Sequence, residues 1–199
     1  MSDILSKFGV FTGLATVSRT FKAPKPKYRF RVDFIGMGDG SSDDLTLEAE
    51  SVKLPQITFD PQEIHGYNSV AYYAGKPKWS EVDMVVRDTY DNSTSVAIMK
   101  QQTKQMDPMQ QVTANVPANY KFTTKICALD GHGNTLSTWE LAGCFLSSVN
   151  YGDFNYKESS ANLITMNIRY DNAVLYDALG LVVGEGLNVS TLLTLVGLL

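Results

Sequence analysis

Tyr28-Arg29-Phe30-Arg31-Val32-Asp33-Phe34 alternates without a break, with four apolar side chains on one face and Arg29, Arg31 and Asp33 on the other. Successive side chains of a strand point to opposite faces, so the stretch reads as a half-buried β-strand. Pro24 and Pro26 lead the chain into it extended. Behind it lies a turn-rich loop, Gly36-Met37-Gly38-Asp39-Gly40-Ser41-Ser42-Asp43-Asp44.

The same period of two recurs along the chain. Leu45, Leu47 and Ala49 alternate with Thr46, Glu48 and Glu50 in a strand predicted over residues 45–54, which Pro55 closes. Val82, Met84 and Val86 alternate with Glu81 and Asp83 over residues 79–87. Tyr120, Phe122, Thr124, Ile126 and Ala128 share one side of a strand over residues 120–129. Asp130-Gly131-His132-Gly133-Asn134 then turns the chain back into a long strand over residues 136–151. The last predicted strand, residues 163–170, sets Ile164, Met166, Ile168 and Tyr170 against Thr165, Asn167 and Arg169. A single confident helix is predicted over residues 93–106, capped by Asp91 or Asn92 and stopped by Asp107-Pro108. Val96, Met99, Thr103 and Met106 lie along one stripe of it.

Residues 56–77 fit neither pattern well. They carry few charges, and Phe59, Tyr67, Tyr72 and Tyr73 among their aromatics, with a turn marked by Gly66 and Asn68. This reads as a hairpin with too few large aliphatics for a core of its own. Outside the strands, Ile4, Leu5, Phe8, Phe11 and Leu14 have roughly helical spacing, and residues 186–199 are uncharged and rich in Leu and Val. The reading therefore divides the chain into an N-terminal extension (1–23), a β domain (24–176) and an apolar C-terminal extension (177–199). No secretory signal is visible, and the apolar tail falls short of the ~20 residues that span a bilayer.

The 199 residues are 44% hydrophobic and 19% charged, a globular balance, and carry a formal net charge of -4. A mildly acidic chain is not built to grip nucleic acid, which requires a basic stripe. Cys127 and Cys144 fall in predicted strands and read as small buried hydrophobes, a bridge between neighbouring strands being the alternative. His65 and His132 have no second histidine or cysteine at ligand spacing, so no metal site is expected. Asp130 and Asn134 beside His132 supply too few acidic ligands for calcium and suit a turn. Gly36-x-Gly38-x-Gly40 has the wrong spacing for a dinucleotide fingerprint, and Asp39, Asp43 and Asp44 would repel phosphate. Glu81 and Asp83 read as one solvated strand face. No nucleophile elbow or Cys–His pair stands out, so neither a catalytic residue nor a cofactor is expected.

Several stretches, taken in order, resemble the tail tube proteins of contractile-tailed, T-even-like bacteriophages. They are Pro26-Lys27-Tyr28-Arg29-Phe30-Arg31-Val32-Asp33-Phe34 and Glu50-Ser51-Val52-Lys53-Leu54-Pro55, then Ala74-Gly75-Lys76-Pro77-Lys78-Trp79-Ser80-Glu81-Val82-Asp83-Met84-Val85-Val86-Arg87-Asp88. Trp139-Glu140-Leu141-Ala142-Gly143-Cys144-Phe145-Leu146-Ser147-Ser148-Val149 and residues 163–170 complete the set. The resemblance spans about residues 26–176. It implies a mainly β fold, a sandwich or small barrel of about seven strands with one flanking helix, shared with the Hcp proteins of type VI secretion. It further implies hexameric rings stacked into a tube inside a sheath, partners in sheath and baseplate, and DNA passing through without specific binding. It places the protein in the virion, after assembly in the host bacterial cytoplasm.

Two other expectations compete with the tube subunit. One is a tube-initiating baseplate protein or a type VI tube protein. The other, from a different class, is a ligand-binding β-barrel that uses the tyrosines of residues 56–77 around an apolar pocket. Under the tube reading, Ile57, Phe59, Tyr67, Val70, Tyr72 and Tyr73 of the hairpin are the predicted contact between subunits, because aromatics with few charges favour a buried interface.

Overall fold

The computed structural model of the chain describes residues 24–38, 43–114 and 116–183. The helical spacing expected over residues 1–23, the apolar tail beyond 183 and the middle of the glycine loop lie outside the described residues.

The alternating segments are strands. In chain order they are β1 (Phe30–Ile35), β2 (Ala49–Val52), β3 (Ile57–His65), β4 (Val70–Trp79), β5 (Val82–Arg87), β6 (Met106–Asp107), β7 (Val112–Thr113), β8 (Phe122–Leu129), β9 (Thr135–Asn150), β10 (Leu163–Arg169) and β11 (Asn172–Asp177). Two helices interrupt them, α1 (Asp43–Leu47) and α2 (Ser93–Gln105). Seven strands form one antiparallel sheet in the order β1-β8-β9-β10-β5-β2, with β11 also paired to β9. The sheet does not close, so the small barrel among the expected architectures is not what the chain forms.

The sixteen-residue β9 holds the arrangement together. One of its edges pairs with β8, while β11 pairs along its first half and β10 along its second. The change of partner falls at Gly143, whose φ of +70° a side chain rarely adopts. A Cβ there would also strike the Asp171 carboxylate, which sits between β10 and β11 and pairs with Lys121 Nζ at 2.5 Å.

The alternation places the core. Val32 and Phe34 of β1, Val82, Met84 and Val86 of β5, and Ile164, Met166 and Ile168 of β10 are buried. Phe122 and Ile126 of β8 and Leu141, Cys144 and Leu146 of β9 meet them in one cluster. Burying side chains of this size contributes about 1.5–3 kcal/mol each before ordering costs. The opposite faces carry cross-strand ion pairs. Arg169 Nη1 meets Glu81 Oε1 at 3.1 Å and Lys53 Nζ meets Asp83 Oδ2 at 3.4 Å, so the two carboxylates expected on a solvated face are paired there.

Four expectations need correction. Residues 43–47 form α1 rather than the start of a strand, so Leu45 is buried from a helix and the second strand begins only at Ala49. Asp43, Asp44 and Thr46 suit a helical turn as well as a strand face, which made the short alternation misleading. Trp79 ends β4, and β5 starts three residues later. The chain also does not leave the sheet at Tyr170: β11 follows, and Leu181–Val183 return to it through Val183 N to Leu175 O at 2.8 Å and an isolated bridge between Tyr176 and Val182.

The fourth correction concerns α2. Its buried residues are Thr94, Ile98 and Gln101, whereas Val96, Met99 and Met106 are exposed. Beside Ile98, two amides anchor the helix by satisfying backbone groups beneath it. Gln101 accepts from Gly38 N at 3.0 Å and donates to Tyr120 O at 2.6 Å, and Gln105 exchanges two hydrogen bonds of 3.0 Å with the Leu146 backbone. Buried amides fully satisfied in this way fix one orientation of the helix.

Candidate assembly surface

β3 and β4 form their own two-stranded sheet and stand away from the rest. Every residue of β3 is exposed, and so is all of β4 except Gly75 and Trp79. At about 3.3 Å per residue, the nine residues of β3 reach roughly 30 Å. The root is firm: Ser80 N donates to Gln56 O at 2.9 Å, and Trp79 packs on Tyr170 of the core with ring centroids 5.8 Å apart. At the tip, Gly66 N donates to Ser69 O at 2.7 Å, closing the turn that Gly66 and Asn68 foretold.

Register decides which side chains meet. Ile57 pairs with Trp79, Phe59 with Pro77, Pro61 with Ala74, Glu63 with Tyr72 and His65 with Val70. Directly opposed residues share a face, so these make one largely apolar side. Gln62 with Tyr73 and Ile64 with Ala71 lie on the other. Between Phe59 and Pro61 the register slips, because β4 uses three steps where β3 uses two. The extra residue makes a bulge at Gly75, where a Cβ would run into Asp60 O.

The predicted contact residues thus divide. Ile57, Phe59, Val70 and Tyr72 share the apolar face, Tyr73 lies on the reverse, and Tyr67 stands fully exposed in the turn. Phe59 and Tyr72 are 53% and 67% exposed among the described residues. Sequence reading missed Ile64, 58% exposed on the reverse face, and Trp79, which joins the apolar face to the core. The periodicity around each contains that information, but the bulge hides which face it belongs to.

Among the described residues, no three His, Cys, Asp or Glu side chains gather to hold a metal ion. Both cysteines are free and buried rather than bridged. Burial pushes the Cys144 thiol up to about 11, so it is protonated at neutral pH and a poor nucleophile. Asp130 is held below its ordinary value by the Asn134 side chain first and the His132 backbone N–H second, the bonding of a turn and not of a proton carrier. Among the described residues, neither of the two best-formed hollows is lined by the tyrosines of residues 56–77. Surface hollows lie elsewhere: one of about 470 Å³ is lined by Arg31, Asp33, Lys125, Cys127 and Glu140, and another runs along Val96, Met99 and Thr103.

No helix among the described residues is long and apolar enough to cross a membrane.

Comparison with known proteins identifies the fold. The chain is similar to a chain of the PVC extracellular contractile injection system sheath–tube complex, extended state, at TM-score 0.59 and 17% identity over 77% of this chain and 92% of that one. It is similar to the tube-terminating cap of the anti-feeding prophage at TM-score 0.62 and 15% identity, covering 83% and 99%. A chain of the anti-feeding prophage baseplate aligns at TM-score 0.59 and 10% identity, covering 79% and 99%. Among curated proteins, none matches the sequence. The profile of the T4-like virus tail tube protein gp19 family matches residues 26–174, nearly the whole described domain and both strands of the hairpin, and the chain belongs to that family.

Proposed function

We propose that copies of this chain assemble into six-membered rings that stack as the inner tube of a contractile tail, with the β3–β4 hairpin joining subunits. The observation that carries the reading is the uncovered aromatic hairpin on a chain of the tail tube family. An isolated two-stranded hairpin is marginal in water, so a neighbour must supply what its own domain does not. Ile57, Phe59, Val70 and Tyr72 form the main contact, with Tyr67 and Tyr73 reaching partners at the tip and on the reverse face. Open sheets also leave unpaired edges at β1 and β2, and closure around a ring removes such edges.

The role is structural, without catalysis or cofactor. Residues 1–23 and, of the predicted extension 177–199, the part beyond Val183 act as extensions to the β domain, docking on neighbouring subunits, sheath or baseplate. The protein resides in the virion after assembly in the host bacterial cytoplasm. A specialised ring at the tube end is the second reading, favoured by the similarity to a tube-terminating cap. Light scattering and negative-stain microscopy over a concentration series test the assembly, with rings or tubes as the expected result. A strictly monomeric particle at high concentration contradicts it.

DNA traverses the tube unheld, in keeping with a net charge of -4. A lumen rich in Lys and Arg would displace counterions and brake the duplex. At low salt, where attraction is strongest, duplex binding weaker than micromolar is expected. Micromolar affinity there argues against an unobstructed conduit.

A further inference from the structure

β3 and β4 run roughly 30 Å out from the sheet, so the direction in which they leave it decides where their tip arrives. A tilt of about 10° at the root carries the tip through roughly 5 Å, more than a closely packed interface tolerates. We propose that Tyr170, at the end of β10, is a positioning residue: through Trp79 it sets the angle of the hairpin, and with it the ability of the chain to assemble. The proposal rests on the hairpin being a subunit contact and assigns the residue that aims it.

The hairpin has few holds on its own domain. Among the hydrophobic residues of β3 and β4, Trp79 alone packs against the core. Thr58 Oγ1 donates to Lys78 O at 3.2 Å and Ser80 N donates to Gln56 O, but these bonds join the two arms to each other and stiffen the hairpin without aiming it. The incoming arm has no counterpart to Trp79: Leu54 is 56% exposed, and Gln56 and Ile57 are exposed as well.

Two consecutive residues grip the outgoing arm from opposite faces of the sheet. Arg169 Nη1 meets Glu81 Oε1 on the exposed side, and Ser147 Oγ donates to the same oxygen at 3.3 Å. On the core side Tyr170, 4% exposed, receives the Trp79 ring with the two planes tilted by 51°. The alternation of β10 is what exposes Arg169 and buries Tyr170. The two holds are unequal, because a half-exposed ion pair contributes little, whereas packed rings contribute area and a preferred geometry. Tyr170 is itself fixed: it ends β10, and the next residue, Asp171, donates its N–H to Ala142 O at 3.0 Å and pairs with Lys121. A ring held this way passes the orientation of the sheet to the hairpin, and a hairpin aimed in advance costs less to dock.

Full-length variants test the role. Tyr170→Leu and Trp79→Leu each remove one ring and keep an apolar side chain, while Tyr170→Phe keeps the ring. Nitroxide labels on Asn68→Cys at the tip and Thr165→Cys on β10 report the direction of the hairpin as a distance distribution in dilute, unassembled chain. The native cysteines are buried and leave the labels to the new ones. Tubes are followed by electron microscopy of unlabelled chains. Wild type and Tyr170→Phe are expected to give one narrow distribution and to build tubes. Both leucine variants are expected to melt cooperatively, to broaden the distribution and to lose tubes. The proposal is overturned by leucine variants as narrow as wild type, by a wild type that is already broad, by broadening that leaves tubes intact, or by loss of tubes in Tyr170→Phe. If Tyr170→Leu does not fold, Trp79→Leu decides alone. Normal tubes from a chain with residues 62–73 replaced by a Gly-Ser turn overturn the hairpin reading instead, and the distance distributions still judge the aiming.

Discussion

β10 and β3 are extended segments of seven and nine residues, each paired antiparallel along its length, yet β10 fully buries Ile164, Met166 and Ile168 while every residue of β3 is exposed. The ladder hydrogen bonds are of the same kind in both, so the backbone does not explain the difference. β10 sets aliphatic side chains at every second position and α2, β1 and β8 lie over them. β3 reads Ile-Thr-Phe-Asp-Pro-Gln-Glu-Ile-His, without a continuous aliphatic row, and stays exposed among the described residues. A strand becomes core where a second layer meets it. Under the proposed assembly, a hairpin left bare with Phe59 and Tyr72 on one face finds its second layer on another molecule.

The core side of this comparison should break first. Met166→Ala removes a fully buried side chain between β5 and β9 and is expected to cost about 2–5 kcal/mol, read as a lower midpoint in denaturant with unchanged slope. A loss below 1 kcal/mol would mean that β10 is no more part of the core than β3.

A smaller effect comes from Cys144. Its thiol titrates at about 11 in the folded chain instead of 9.0, with burial as the largest cause. The neutral thiol is the form that the fold accepts, so this stabilisation is complete below about pH 9 and disappears as pH rises through 11. About 2–3 kcal/mol of stability is at stake. Between pH 9 and 11, wild type should lose more stability than Cys144→Ala, and parallel pH profiles would contradict the burial.

Much of this fold was legible in residue order. The rows Val32/Phe34, Val82/Met84/Val86 and Ile164/Met166/Ile168 alternate cleanly, and each is buried as a strand row should be. The hairpin between Pro55 and Trp79 was visible from its turn residues and its poverty in aliphatics. The misreadings have physical causes. α2 is anchored by Gln101 and Gln105, and amides give no apolar period, so Val96 and Met99 drew attention to the wrong side. β11 has only Ala173 buried, and its neighbours look like a tail in sequence. Which of Tyr72 and Tyr73 shares the face of Phe59 follows from a bulge at Gly75 that no residue count shows.

The smallest expected effect on stability tests the central claim. Replacing residues 62–73, or substituting Phe59→Ser with Tyr72→Ser, removes no buried contact and should shift unfolding by no more than about 0.5 kcal/mol. The measurement that decides is a thermal melt followed by electron microscopy of the same shortened-hairpin sample beside wild type. The account predicts a cooperative melt near that of wild type and no tubes. A shortened-hairpin chain that melts normally and still builds ordinary tubes would contradict it.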